Sequence, residues 1–174
     1  MKRILATACS LALCCLAAPI QQGHAAKTEP MSDQQFIDFI AQTDMLEAHL
    51  GQLAADHAGS QEVKDYAQML VTDHTADYQN LTALAAKDGF TVPKGLDAAH
   101  NQIIQPFEKL KGAAFDARYI HTMIEGHTQA IQIFTKESMD AQNADLKSDA
   151  SATLPTLHKH LDGAKDLEKK PAKK

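Results

Sequence analysis

The segment SQEVKDYAQMLVTDHTADYQNLTALAAKDG, from Ser60 to Gly89, predicts a long amphipathic helix and decides the fold class. Ser60 is a favourable N-cap, Glu62 lies in the first turn, and Gly89 can end the helix. Apolar residues recur every three or four positions, as a buried helix face requires. They are Val63, Ala67, Leu70, Leu81 and Leu84. Two ionisable residues, His74 and Asp77, interrupt this face.

Three further segments show the same periodicity and predict helices over residues 32–58, 113–141 and 144–168. The first of them opens with the capping box Ser32-x-x-Gln35. The sequence has no alternating runs of β-branched residues and no Asn-Gly hairpin signal, so strands are not expected. The chain is therefore predicted to be all-α.

The lengths of the connections predict how these helices are arranged. Short turns near Gly59 and Asn143 make two antiparallel hairpins. The connection over residues 89–112 contains two prolines and two more glycines, has room for one short helix around residues 97–109, and is long enough to run along the bundle. Two hairpins joined by one long crossover predict a ferritin-like four-helix bundle. Pro155 lies inside the fourth helix, where a kink or break is expected.

The N-terminal region reads as a processing signal. Residues 1–25 combine a basic start, an apolar run over residues 4–18 and a small-residue ending, which is typical of a cleavable signal peptide. That run is shorter than the roughly 20 residues of a membrane span, and no transmembrane segment is expected in the mature chain. We therefore predict a periplasmic protein. Lipoprotein anchoring through Cys14 is disfavoured because Leu13 is too large for the position before the modified cysteine.

The rest of the chain divides into a flexible N-terminus at residues 26–31, the bundle at 32–168 and a basic disordered tail at 169–174. The whole chain carries a net charge of −5, and the predicted signal removes two basic residues. Such a surface repels phosphate backbones, so nucleic acid is not an expected partner. Sequence alone does not indicate a protein partner or an oligomeric state.

One ionisable residue interrupts the apolar face of each predicted helix near its midpoint. These residues are Glu47, His74, His127 and His160. Antiparallel helices of similar length have their midpoints at one level, so the four side chains should converge. Three imidazoles and a carboxylate are ligands that one zinc, iron, copper or nickel ion accepts. Asp77 or Asp73 could hydrogen-bond one of these ligands and so fix its orientation.

A structural polar layer is the alternative to a metal site. Glu47 could hydrogen-bond one of the histidines in a polar layer that fixes the register of the helices without any ion. The other histidines fall off the apolar stripes or near helix ends and are expected at the surface. They are His49, His57, His100, His121 and His158.

Several blocks of the sequence resemble the bacterial DUF4142 family, whose biochemical role is not settled. The blocks are Glu47-x-x-Leu50, Val63-Lys64, Met69-Leu70-Val71-x-Asp73-His74, Phe115-Asp116-x-x-Tyr119 with the later His127, and Leu154-Pro155-x-x-x-x-His160-Leu161. The resemblance covers about residues 32–167 and implies export and membership of the ferritin-like superfamily. The di-iron enzymes of that superfamily carry Glu-x-x-His pairs. Here Val71 and Leu157 precede His74 and His160 by three positions, which argues against a di-iron oxidase or a ferritin and leaves a mononuclear site open.

Three functional hypotheses follow. The leading one is an exported, non-catalytic bundle that binds a single metal ion in its Glu/His layer or acts in the envelope stress response. The second is a metal-dependent oxidoreductase, and the third is a purely structural or protein-interaction module. An enzyme is not favoured, because the sequence has no Gly-rich phosphate loop, no Gly-x-Ser-x-Gly motif and no cysteine beyond the signal.

Overall fold

The computed structural model describes residues 31–170, which form helices and contain no strand. The elements are α1 (Asp33–His57), α2 (Gln61–Asp88), α3 (Ala98–Ile104), a 3-10 turn (Phe107–Lys109), α4 (Ala113–Asp140) and α5 (Ala144–Glu168). The all-α prediction is confirmed, and the four predicted helices are α1, α2, α4 and α5. The predicted signal peptide, residues 26–30 and residues 171–174 lie outside the described residues, so the division of the chain at its ends stays a prediction.

Local sequence signals set the ends of the long helices. At the start of α1, the Ser32 N–H donates to the side chain of Gln35 at 2.9 Å, and the Gln35 N–H donates back to the Ser32 hydroxyl at 3.3 Å. The Ser60 hydroxyl accepts the N–H of Val63 at the start of α2. Gly89 ends α2 with a φ of 78°, a left-handed conformation that favours glycine. Each of these ends agrees with the sequence prediction.

The crossover runs beside α1 over most of the length of that helix. Near its beginning, Thr91 is hydrogen-bonded to the side chain of Gln34, in the first turn of α1. Near its end, His57 at the last turn of α1 donates from Nδ1 to the carbonyl of Leu110 at 2.8 Å. The crossover therefore returns the chain to the end of the bundle where α2 began. The predicted connectivity of two hairpins and one long crossover is confirmed.

Each hairpin turn is bound by a carboxylate of the other hairpin. Asp116 of α4 accepts the backbone N–H groups of Gly59 and Ser60 at 2.8 and 2.9 Å. At the opposite end, Asp33 of α1 accepts the N–H groups of residues 142–143 at 3.0 and 2.9 Å. These paired bonds fix the relative height of the two hairpins. The midpoints of the four long helices consequently lie at a common level.

The apolar core is divided into two clusters. One cluster lies toward the α1–α2 turn and includes Leu50, Leu70, Phe115, Tyr119 and Met123. The other lies toward the α4–α5 turn and includes Phe36, Leu81, Phe134, Leu146 and Leu157. Buried polar residues from all four long helices lie in neither cluster. The bundle thus has a polar layer with apolar packing on both sides.

Helix α5 continues through Pro155 as one helix, so the break that the sequence allowed does not occur. Pro155 itself is exposed, while Ala150 before it and Leu157 and Leu161 after it are buried. Packing on both sides of the proline therefore holds the helix, although proline supplies no backbone donor. None of the described helices combines the length and hydrophobicity that crossing a bilayer would need.

Candidate metal centre

The four residues singled out in the sequence lie together in the polar layer. Their exposed fractions are 3% for Glu47, 4% for His74, 0% for His127 and 1% for His160. One ring nitrogen from each histidine lies within 4.8 Å of the other two. Glu47 Oε2 lies 2.9 Å from His74 Nε2 and 3.4 Å from His127 Nε2. All four side chains therefore converge, with one contributed by each long helix.

A carboxylate of α1 orients His74. Asp44 is 3% exposed, and its Oδ1 lies 2.8 Å from His74 Nδ1. The carboxylate accepts a hydrogen bond, so Nδ1 carries the proton and Nε2 is left facing Glu47. This is the arrangement of a histidine whose ring is held from behind by an anionic partner.

The other two histidines are held in the same way. His127 Nδ1 donates to the Met123 carbonyl at 2.9 Å, because a carbonyl can only accept. His160 Nε2 donates to Asp73 Oδ2 at 2.9 Å. Asp73 therefore occupies the orienting position that the sequence suggested for it. The remaining nitrogens, His127 Nε2 and His160 Nδ1, face each other at 3.2 Å.

Two buried atoms at the centre of the layer have no hydrogen-bond partner among the described residues. They are Glu47 Oε2 and His74 Nε2. The two atoms are 2.9 Å apart, but their alignment does not meet the angular requirement of a hydrogen bond. Buried polar atoms without a partner are uncommon in folded proteins, since each costs desolvation free energy.

The pKa values in the layer reflect burial opposed by close charges. Burial alone would raise the pKa of Glu47, but His127 and His74 outweigh it and lower the pKa to about 2. Burial raises the pKa of Asp44 to about 6, against the hydrogen bond from His74. Burial would lower the pKa of His74, yet Glu47 and Asp44 raise it well above its usual value. In the absence of an ion, His74 is therefore positively charged and lies between two carboxylates.

His160 differs from His74 in its charge. Burial lowers the pKa of His160 to about 4, although the hydrogen bond to Asp73 opposes the shift. At neutral pH this ring is uncharged, with its proton on the nitrogen that faces Asp73. His160 Nδ1 is then a hydrogen-bond acceptor, 3.2 Å from His127 Nε2.

Asp44 is the residue that the sequence prediction missed. Thr43 and Asp44 both fit a helical stripe after Ile40, at spacings of three and four, so the stripe alone does not distinguish them. The signal that could have identified Asp44 is its position four residues after Ile40 and three before Glu47, which continues the helical stripe. Asp77, the other predicted orienting residue, lies in a cleft beside the layer, and none of its described hydrogen bonds reaches a site histidine.

The remaining histidines lie outside the layer. His49, His121 and His158 are exposed, as predicted. His57 and His100 are half-buried, because His57 bonds the crossover carbonyl of Leu110 and His100 bonds Asp97 at the start of α3.

The profile of the family described as Domain of unknown function (DUF4142) matches residues 17–167. The chain belongs to the DUF4142 family. A similar solved structure is "CopM in the Cu(II)-bound form", which is 15% identical, has a TM-score of 0.66, and covers 79% of this chain and 95% of its own. At that identity the likeness shows a shared helical fold. No curated protein sequence matches the chain.

In this DUF4142 member, the positions that would carry bridging glutamates in a di-iron bundle hold apolar residues. Val71 lies at the α1–α2 contact, where a Cβ added at Gly51 would come within 2.6 Å of it. Leu157 is 4% exposed and belongs to the apolar cluster near the α4–α5 turn. The described layer thus offers a single set of convergent ligand atoms. Placement in the ferritin-like superfamily stays a prediction.

Proposed function

We propose that this protein binds one transition-metal ion through Glu47, His74, His127 and His160, and that it is an exported, non-catalytic metal-binding bundle. The observation that carries the proposal is the convergence of one ligand atom from each of these buried side chains at the centre of the layer. Glu47 Oε2 and His74 Nε2 have no hydrogen-bond partner among the described residues, and two imidazole nitrogens lie 3.2 Å apart.

The orienting bonds leave each histidine with its lone pair turned inward. Asp44, the Met123 carbonyl and Asp73 each accept the proton of one imidazole, at 2.8 to 2.9 Å. A bound ion would take the place of the extra proton that His74 carries, and the three imidazoles would then direct their lone pairs toward that ion. A cation at that point would also contact Glu47 and so would satisfy all four atoms.

The ligand types restrict which ions fit. Three imidazole nitrogens and one carboxylate oxygen suit borderline divalent ions such as zinc, copper, nickel or iron(II), and lack the oxygen-rich shell of calcium or magnesium. The structural likeness to a protein whose title names bound Cu(II) makes copper one ion to titrate first. Titration with each of these ions would identify the one that binds.

Four protein ligands would fill a four-coordinate site. Structural metal sites are closed in this way, while catalytic sites keep one position for water or substrate. The closed set supports a role in holding an ion over the alternative of a metal-dependent oxidoreductase. Export through the predicted signal at residues 1–25 would place such a protein in the periplasm.

A titration of protein made without a histidine tag tests the proposal. We expect one Cu²⁺ or Zn²⁺ per chain by calorimetry, and no stoichiometric binding after His74→Ala or His127→Ala. The matched control is His49→Ala with His158→Ala, which removes two exposed imidazoles from α1 and α5 and should leave the stoichiometry at one.

Circular dichroism would establish that each variant is folded, and Asp73→Asn provides a milder change that leaves every proposed ligand in place. Absence of stoichiometric binding in the wild type would refute the proposal. Equal loss of binding in the surface-histidine control would also refute it.

One observation favours a second function, a purely structural polar layer. His74 lies between Asp44 at 2.8 Å and Glu47 at 2.9 Å. Two carboxylates on opposite sides of the ring can stabilise a charged imidazolium. Such a layer would fix helix register without an ion, in keeping with an interaction or structural module. Full stability of the metal-free protein together with no binding of Cu²⁺, Zn²⁺ or Ni²⁺ would favour this function.

A further inference from the structure

A cleft of about 460 Å³ opens between α2 and α5, with α1 as its floor, and reaches the polar layer. Two of the proposed ligands, His74 and His160, line it. The lining also includes four carboxylates, Asp44, Asp73, Asp77 and Asp149, and one lysine, Lys159. The cleft is therefore an acidic passage that ends at the histidines.

Asp44 joins the cleft to the layer. Its Oδ1 accepts the hydrogen bond of His74, while its Oδ2 is buried and has no hydrogen-bond partner in residues 31–170. The residue is only 3% exposed, although it lines the cleft. A cation at the floor of the cleft would compensate for the missing hydrogen-bond partner of this carboxylate oxygen.

The neighbouring carboxylates lie close enough to Asp44 and to one another to repel when charged. Burial raises the pKa of Asp77 to about 7, and repulsion from Asp44 and Asp149 raises it further. Burial also raises the pKa of Asp149. Concentrating carboxylates in a half-buried cleft is unfavourable in the ion-free protein, and a divalent cation would relieve that cost.

We propose that this cleft is the route by which a hydrated divalent cation reaches the histidine layer, with Asp77 and Asp149 attracting the ion and Asp44 receiving it at the floor. The inference rests on the proposed metal-binding function and adds a path to it. No bond is made or broken along the route apart from exchange of water for protein ligands. Clefts lined by one sign of charge raise the association rates of oppositely charged ligands about 10- to 1,000-fold.

The rate of Cu²⁺ association tests the route. Quenching of tyrosine fluorescence can report binding, because Tyr66 donates to the carbonyl of His160 at 3.0 Å and so lies against the layer. For Asp77→Asn with Asp149→Asn, we expect the association rate constant to fall about tenfold or more, with a weaker dependence on ionic strength. The final stoichiometry should stay at one ion per chain.

The matched control is Asp65→Asn with Asp162→Asn. It removes two carboxylates from exposed positions of α2 and α5 that do not line the cleft, and it should keep the wild-type association rate. An unchanged rate in the cleft variant, or an equal fall in the control, would overturn the route while leaving the metal site intact. A wild-type protein that binds no Cu²⁺, Zn²⁺ or Ni²⁺ would remove both the route and the proposed function.

Both double variants are expected to fold, because asparagine keeps the shape of aspartate and the cleft variant loses charge repulsion. A melting temperature for the metal-free cleft variant at or above the wild-type value would agree with this reasoning. A folded cleft variant with wild-type kinetics would therefore be a clear refutation.

Discussion

The substitution Glu47→Gln should destabilise the metal-free protein at neutral pH by an amount that can be worked out from the structure. Glu47 is the carboxylate that faces both His74 and His127, and glutamine keeps its shape while removing its charge. The pKa of this carboxyl falls from its ordinary 4.5 to about 2 because the two histidines outweigh the effect of burial. A pKa difference of this size, at about 1.4 kcal/mol per unit, corresponds to about 3 kcal/mol.

The sign of the pH dependence follows from the direction of this shift. A carboxyl whose pKa is lowered on folding stabilises the protein fully above its unfolded pKa, near 4.5, and that stabilisation is lost as the pH falls toward about 2. The difference between wild type and Glu47→Gln should therefore be largest at neutral pH and should shrink in acid.

Urea denaturation of chelator-treated protein, followed by circular dichroism over a series of pH values, measures this difference. Glu137→Gln is a matched control, since Glu137 is a carboxylate of α4 with 2% exposure that lies outside the histidine layer. If Glu47→Gln stays within about 0.5 kcal/mol of wild type at neutral pH, the charge network has been misjudged. A control variant that reproduces both the loss and its pH dependence would refute the reasoning as well.

Three further predictions concern the site and the packing around it. Asp73→Asn should weaken metal affinity about 10- to 100-fold without changing the stoichiometry, because Asp73 holds the ring of His160; competition with a chromophoric chelator would measure this. Metal binding requires His74 to lose a proton, and Glu47 and Asp44 raise the pKa of His74 against the effect of burial. Metal affinity should therefore rise by up to about tenfold per pH unit above about 6.5. Calorimetry in two buffers of different ionisation enthalpy should accordingly detect about one released proton, and equal heats in both buffers would contradict this. Gly51→Ala should cost about 1–3 kcal/mol in thermal denaturation, because the added carbon would lie 2.6 Å from a side chain and 2.9 Å from a backbone oxygen of α2. Gly126→Ala, whose nearest neighbour would be 3.5 Å away, should instead stabilise the protein by about 1 kcal/mol, and the same sign for both glycines would contradict the packing.

The fold could be predicted because its determinants are local. Helix ends depend on caps such as Ser32, Ser60 and Gly89, and the pairing of helices depends on the lengths of their connections. At Pro155, where a kink or break is expected, the helix does not break, because buried residues on both sides of the proline hold it. Periodicity alone could not weigh that packing.

The convergence of Glu47, His74, His127 and His160 could be predicted because each of them interrupts an apolar stripe near the midpoint of a helix. The orienting partners could not all be predicted, because they depend on the rotation of each helix about its axis. A few tens of degrees decide whether Thr43 or Asp44 faces His74, and an apolar stripe several residues wide does not resolve such an angle. For the same reason, the sequence does not separate Asp73, which accepts a hydrogen bond from His160, from Asp77, which lines the cleft beside the layer.

Anomalous X-ray diffraction from crystals of the copper- or zinc-loaded protein tests the central claim most directly. We predict one strong peak inside the bundle, about 2.0–2.2 Å from Glu47 and from one nitrogen of each histidine. The coordinating nitrogens should be Nε2 of His74, Nε2 of His127 and Nδ1 of His160, since the opposite nitrogens donate hydrogen bonds. A peak confined to exposed histidines such as His49, or no peak within the layer, would contradict the account.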